Sequence, residues 1–226
     1  MTKPAGEIGS PPSGAGDDGS GRIDRARRYL EGDGVPQNFA RALDLISPSS
    51  SKGAPEARYL LALIHADGLG TAKDVARAHL EASLAAAQGH GEATDLLDRL
   101  EAGMTAEDLA RAQDAAAAAW ETLSGATAAT GRRTAAMGGD LDAMSSLAGS
   151  YFHGTGSPRH YARAYLWASL AAAAGNRMAR GIRDRVLGAM EAGVVTPDGI
   201  LAAQARAAEL WDRHIGPALK ARLKGR

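Results

Sequence analysis

Seven residues recur three times in one register, and this constrains the chain more than any other feature of it. Ala26, Tyr29, Gly32, Gly34, Ala42, Gly53 and Ala57 are followed 36 positions later by Ala62, His65, Gly68, Gly70, Ala78, Gly89 and Ala93. A further step of 86 positions gives Ala148, Tyr151, Gly154, Gly156, Ala164, Gly175 and Ala179. Each copy also carries an Ala-Arg-Ala triplet, at 40–42, 76–78 and 162–164. Self-similarity at such a period means stacked copies of one supersecondary unit, each burying its apolar face against the next.

The spacing specifies a pair of helices. The first alanine and the aromatic slot three residues later share one face of a helix A. Gly-x-Gly then ends that helix, because glycine accepts a left-handed C-terminal turn. Asn38 and Asp74 stand at the next helix start, where a short polar side chain caps orphan amides, and His160 takes that slot in the third copy as a poorer cap. Helix B carries Ala85-Ala86 and Ala171-Ala172 where two helices approach closely, and Gly89 and Gly175 end it. In the first copy Ser49-Ser50 replace those alanines behind Pro48, so this helix is expected to stop near Ile46 and leave 47–54 as a loop.

The likeness runs beyond the repeats. Asp98-Arg99 matches Asp184-Arg185, Thr105 matches Thr196 as a helix start, and Gln113 and Trp120 match Gln204 and Trp211. A pair of longer helices therefore follows the second and the third copy. Fifty alanines, against ten aromatic residues and few Val or Ile, favour helix over strand. The fold class is all-α, a solenoid of antiparallel helix pairs. Residues 1–21 are Gly, Pro, Ser and Asp with little to bury, and read as a disordered tail. A first solenoid half is expected over 22–123 and a loop over 124–131. A second half follows over 132–226, with a degenerate half-repeat, one repeat, a long helix pair and a basic C-terminus. Neither a secretory signal nor an apolar run of membrane-spanning length is seen, so a cytoplasmic location is expected.

The pattern Tyr-x-x-Gly-x-Gly, then Asp-x-x-x-Ala, then Ala-Ala-x-x-Gly resembles the Sel-one-like repeat, a relative of the tetratricopeptide repeat. The resemblance covers residues 22–93 and 131–180, departing at His65 and at Ser49-Ser50. Its matching slots are structural, and it implies a non-catalytic scaffold or adaptor in bacterial complex assembly or signalling. It also implies an alternative, since some secreted members of the family are hydrolases of β-lactams. Those members staple each helix pair with cysteines, and this chain has none. A third reading is a regulator that senses a small ligand in the groove.

The residues themselves carry little chemistry. Balanced charge, with 26 basic and 26 acidic side chains, argues against a nucleic-acid partner. The absence of cysteine excludes thiol nucleophiles and Cys-based metal sites. No Gly-Lys-Ser/Thr follows the Gly-x-Gly motifs, no Gly-x-Ser-x-Gly is present, and the histidines lack metal-ligand spacing. No catalytic residue, metal or cofactor is therefore assigned. His65 is expected to pack in the aromatic slot, and His153 and His160 to be solvated beside a loop. Trp120, Trp167 and Trp211 are spaced as core anchors of helices. Two candidate protein-binding features remain. Leu60, Leu63 and Ile64 lie opposite Leu61 and His65, so this helix alone is apolar all round, either doubly buried or offering a strip to a partner helix. Arg177, Arg180 and Arg183 form a slanted basic stripe on a helix, either solvated, salt-bridged or facing an acidic partner. Partner identity and oligomeric state have no motif to mark them.

Overall fold

The computed structural model describes residues 19–124 and 127–224. Those residues form α1 (Gly19–Glu31), α2 (Phe39–Ser51), α3 (Pro55–Asp67), α4 (Val75–Ala87), α5 (Gly91–Glu101) and α6 (Ala106–Leu123). The second series is α7 (Thr127–Met137), α8 (Leu141–His153), α9 (Tyr161–Ala173), α10 (Arg177–Glu191) and α11 (Pro197–Leu210). A π-helical turn (Trp211–Ile215) then leads into α12 (Gly216–Lys224). No strand occurs among the described residues. Three repeats are thus α1–α2, α3–α4 and α8–α9, while α5–α6 and α10–α11 are the longer pairs.

The repeat register is visible in the backbone. Gly32, Gly68 and Gly154 have φ of 76°, 71° and 75°, and Gly34, Gly70 and Gly156 have 68°, 68° and 72°. Both glycines of every Gly-x-Gly are therefore left-handed, where a Cβ is strained. The chain then turns back on itself identically three times. The amides of Asn38, Asp74 and His160 donate to the carbonyls of Tyr29, His65 and Tyr151 at 2.9, 2.9 and 2.8 Å. Caps follow the expected order, with Arg41 N donating to Asn38 Oδ1 at 3.0 Å and Arg77 N to Asp74 Oδ1 at 2.9 Å. Arg163 N reaches His160 Nδ1 only at 3.4 Å. Thr105 and Thr196 cap α6 and α11, each accepting an amide at 3.2 Å.

Four boundaries differ from the sequence expectation. Residues 1–18 of the expected tail lie outside the described residues, but α1 already begins at Gly19. Once Ile23 and Ala26 are packed, extending the helix backwards by a turn requires no new nucleus. Helix α2 does not stop near Ile46 but runs through Pro48 to Ser51. Ser49 and Ser50 are buried in the slots that alanines fill elsewhere, and this packing overrides the amide that Pro48 lacks. The expected loop over 124–131 is already helical from Thr127, because the alanine-rich segment propagates α7 readily. The second long pair is broken at 211–215. Pro217 has no amide to continue the ladder, and Gly216 N instead bonds Trp211 O one residue farther back.

Candidate interaction site

The Ala-Arg-Ala triplets have a structural use. In the first and third repeats the arginine lies over the aromatic slot of helix A, Arg41 at 5.5 Å from the Tyr29 ring and Arg163 at 5.8 Å from Tyr151. In the second repeat His65 holds this slot. Burial, and then the Arg77 charge, keep its imidazole below the ordinary histidine range.

Helices α1–α6 meet helices α7–α12 across polar contacts. Arg159, at the loop before α9, is buried and reaches back to Asp98 at 2.7 Å and Glu101 at 2.8 Å on α5. Glu101 Oε1 lies 3.2 Å from Nε2 of the fully buried His79, whose Nδ1 is 3.3 Å from Ser83 Oγ. Burial alone would raise the Glu101 carboxyl, but the His79 hydrogen bond and the Arg159 charge outweigh it and hold it below the usual range. The Tyr161 hydroxyl donates to the same carboxylate at 3.3 Å, and its pKa is pushed up to about 12 by burial and then by Glu101. Further along this seam Tyr161 N donates to Gln113 Oε1 at 3.1 Å, and Arg163 Nη1 pairs with Glu121 at 2.8 Å. Gly156 N donates to Ala87 O at 3.0 Å, joining a third-repeat turn to the end of α4.

An open cleft of about 290 Å³ lies along this seam, between α6, α9 and the start of α11. Leu109, Leu166, Val194 and Val195 supply apolar walls. Gln113 also lines it and is buried, yet its Nε2 has no hydrogen-bond partner among the described residues. Val194 is 37% exposed at the mouth. The arrangement suits an apolar side chain carried beside a hydrogen-bond acceptor, such as a peptide carbonyl.

The residues singled out from sequence are not brought together. Leu60 and Ile64, at 3% and 0% exposed, belong to the core and present no strip to a partner; Leu63 is half-buried and packs against the same clusters. Two faces of α3 are covered because α1 and α2 lie on one side and α4 and α5 on the other. Arg177 and Arg180 are exposed on α10, while Arg183 bonds Asp184 at 2.9 Å. His65 is buried in its slot. His160 is not solvated: it is buried, caps α9 and lies 3.0 Å from Asp114 through Nε2. Burial and the neighbouring Arg163 lower its pKa, against the pull of Asp114. Trp167 is a core anchor, whereas Trp120 and Trp211 are half-buried. Arg159, Glu101, His79 and Gln113 escaped the sequence reading of function. Their signal was a charged residue at 101, where the 86-residue step puts Leu187.

No helix of the described residues is long and apolar enough to cross a membrane. Among those residues no group of three or more His, Asp or Glu is placed to hold a metal ion.

The Sel1 repeat family model matches residues 23–53, 55–90 and 141–176. The chain is similar to the crystal structure of c5321, a protective antigen present in uropathogenic Escherichia coli strains that displays an SLR fold. Identity there is 20%, over 92% of this chain and 56% of that one, with a TM-score of 0.38. A Sel1 repeat protein from Oxalobacter formigenes is 22% identical over 75% of this chain and 90% of its own, with a TM-score of 0.32. This chain therefore spans little more than half the length of the Escherichia coli antigen. No curated protein matches. The matched segments coincide with α1–α2, α3–α4 and α8–α9, so three stretches of this chain match the Sel1 repeat.

Proposed function

We propose that this protein is a non-catalytic interaction scaffold that takes a protein partner in the cleft between α6, α9 and α11, serving complex assembly or signalling in the cytoplasm. Sel1 repeats typically mediate protein–protein interaction, and helix-pair solenoids do so through extended surfaces. The observation that carries the assignment to this cleft is Gln113. Its amide nitrogen is buried in an apolar recess without a partner, and such groups normally have one. A partner backbone carbonyl beside an inserted apolar side chain satisfies both features.

A photo-crosslinking residue placed at Val194, at the cleft mouth, tests this against the same residue at Leu201, which is 60% exposed and outside the cleft. Defined protein adducts are expected from position 194 only, and Ala202→Glu, on an exposed cleft residue, is expected to abolish them. Equal labelling at both positions, or adducts that persist in the Ala202→Glu background, removes the cleft as the docking site.

A further inference from the structure

A second cavity, of about 310 Å³, opens between α2, α3 and α4 in the second repeat. Arg58, His65, Arg77, Glu81, Ser50 and Ser51 are among its walls. Arg58 and His65 are 5% and 6% exposed. Even so, Arg58 Nε and both ring nitrogens of His65 have no hydrogen-bond partner among the described residues. Three unsatisfied positions on two side chains that line one cavity are uncommon in a folded protein, where buried polar atoms are nearly always paired.

The sister repeats show that the fold does not need this polarity. The register that places Arg58, His65 and Glu81 in the second copy places Met144, Tyr151 and Trp167 in the third, where all three pack in the core. The first copy keeps an arginine, Arg22, in the slot of Arg58 and has Tyr29 and Leu45 in those of His65 and Glu81. The second repeat differs from both sisters in putting His65 and Glu81 where they have large apolar or aromatic side chains.

The charges define what those donors suit. Arg58 Nη1 bonds Glu81 Oε2 at 2.8 Å, so this pair is neutral as a unit. Arg77 is exposed at the edge of the cavity and makes no ion pair among the described residues. His65, depressed by burial and by Arg77, presents a neutral imidazole with one N–H and one lone pair. Among the lining side chains one positive charge is left over, that of Arg77, while Asp74, whose charge acts on His65 against it, stands outside the wall at the start of α4. Ser50 and Ser51 donate to the Ser47 carbonyl at 3.0 and 2.9 Å, and their oxygens retain lone pairs for a ligand N–H or O–H.

We propose that this cavity is a binding site for a carboxylate group, with Arg77 supplying the charge and Arg58 Nε and the His65 N–H donating to its oxygens. A single excess cation matches a monoanion, and the Glu81 carboxylate in the wall works against a phosphate dianion. The carboxylate belongs either to a free small acid or to an acidic side chain of a protein, and both present the same two oxygens. The site is separate from the cleft at the seam and stands or falls independently of it.

The test is a titration of the full chain followed by NMR of the histidine rings, at fixed pH and ionic strength. Sodium acetate and the capped peptide acetyl-Ala-Glu-Ala-amide are the probes, with sodium phosphate and sodium chloride as comparisons. His65→Tyr, which restores the residue of the sister repeats, assigns the His65 signals by their disappearance. A saturable shift of the His65 ring with acetate is expected, weakened by about tenfold or more in Arg77→Gln, as loss of a charge-assisted hydrogen bond requires. Circular dichroism of Arg77→Gln, altered at an exposed position, checks that the fold is intact. Binding of acetate without the peptide identifies a free acid, and binding of the peptide identifies an acidic side chain; both support the site. The proposal is overturned if neither saturates, if chloride gives the same shift, if phosphate binds more tightly than acetate, or if Arg77→Gln binds as the parent does.

Discussion

The slot occupied by His79 in α4 is occupied by Tyr165 in α9, and the two surroundings have diverged. Around Tyr165 the solution is nearly apolar: Gln204 Nε2 donates to its hydroxyl at 3.0 Å, and the core runs without a break from Ala136 to Ile215. Around His79 the centre is ionic, with Glu101 where the later helices have Leu187, and its counter-ion Arg159 comes from beyond α6. The first six helices divide their apolar core into two clusters that meet at Tyr59 and Leu63. A repeat with neighbours on both sides can bury a charge because the next unit supplies its partner. The later helices contain their own core and have no such debt to a neighbour.

The largest effect is expected from removing that counter-ion. Arg159→Met leaves Glu101 buried without its cation and should cost about 3–5 kcal/mol, the range for breaking one side of a buried pair. Gln204→Leu, at the corresponding polar contact of the later helices, removes one neutral hydrogen bond and should cost about 1 kcal/mol. Urea unfolding with unchanged slope measures both. Adding Glu101→Leu to Arg159→Met removes the buried charge but leaves His79 Nε2 and the Tyr161 hydroxyl without their acceptor, and should recover only part of the loss. Equal losses for Arg159→Met and Gln204→Leu would erase the contrast between the two regions.

Glycine substitutions sharpen it at intermediate size. Gly70 and Gly156 share the left-handed conformation, so Ala is strained at either. A Cβ on Gly70 would lie 2.7 Å from Phe39 Cβ, whereas on Gly156 the nearest heavy atom is Arg132 Nη2 at 3.7 Å. Gly70→Ala should therefore cost about 2–3 kcal/mol and Gly156→Ala about 1 kcal/mol, within the range for left-handed residues other than glycine. Thermal midpoints that fall equally would show that Phe39 moves aside without loss.

The smallest effect is a slope. The His160 imidazole is depressed in the folded chain by burial and by Arg163, so the unfolded chain binds its proton more readily. Its contribution is complete above about pH 6.5 and is lost as pH falls from there toward the folded-state pKa. His160→Asn keeps a capping side chain, as Asn38 does in the first repeat, but has nothing to titrate. The variant should show a shallower decline in melting temperature between pH 7 and pH 5, and an unchanged slope would place the titration elsewhere.

Most of the fold was legible because it rests on local chemistry. Left-handed glycines, caps at Asn38, Asp74, Thr105 and Thr196, and small residues at close approaches are each specified within a few residues of sequence. Pro48 misled because its local penalty is opposed by the burial of Ser49 and Ser50, which only the packed repeat reveals. The interaction site was the least legible part. Leu60, Leu63 and Ile64 left open a doubly buried helix or a strip for a partner, because periodicity counts apolar positions but not neighbours, and α3 has neighbours on both sides. The contact between Arg159 and Glu101 spans 58 residues, and no periodic pattern joins them.

The amide of Gly156 that bonds Ala87 O has a consequence for folding kinetics. This glycine closes the turn between α8 and α9, and the same residue fastens that turn to the end of α4. Local closure of one hairpin thereby positions a long-range docking contact, and Arg159, three residues later, is delivered to Glu101 by the same event. Ordering the turn and neutralising the buried carboxylate are one step, so hydrogen exchange at the Gly156 amide should report the melting of α4 and α5 as closely as that of α8.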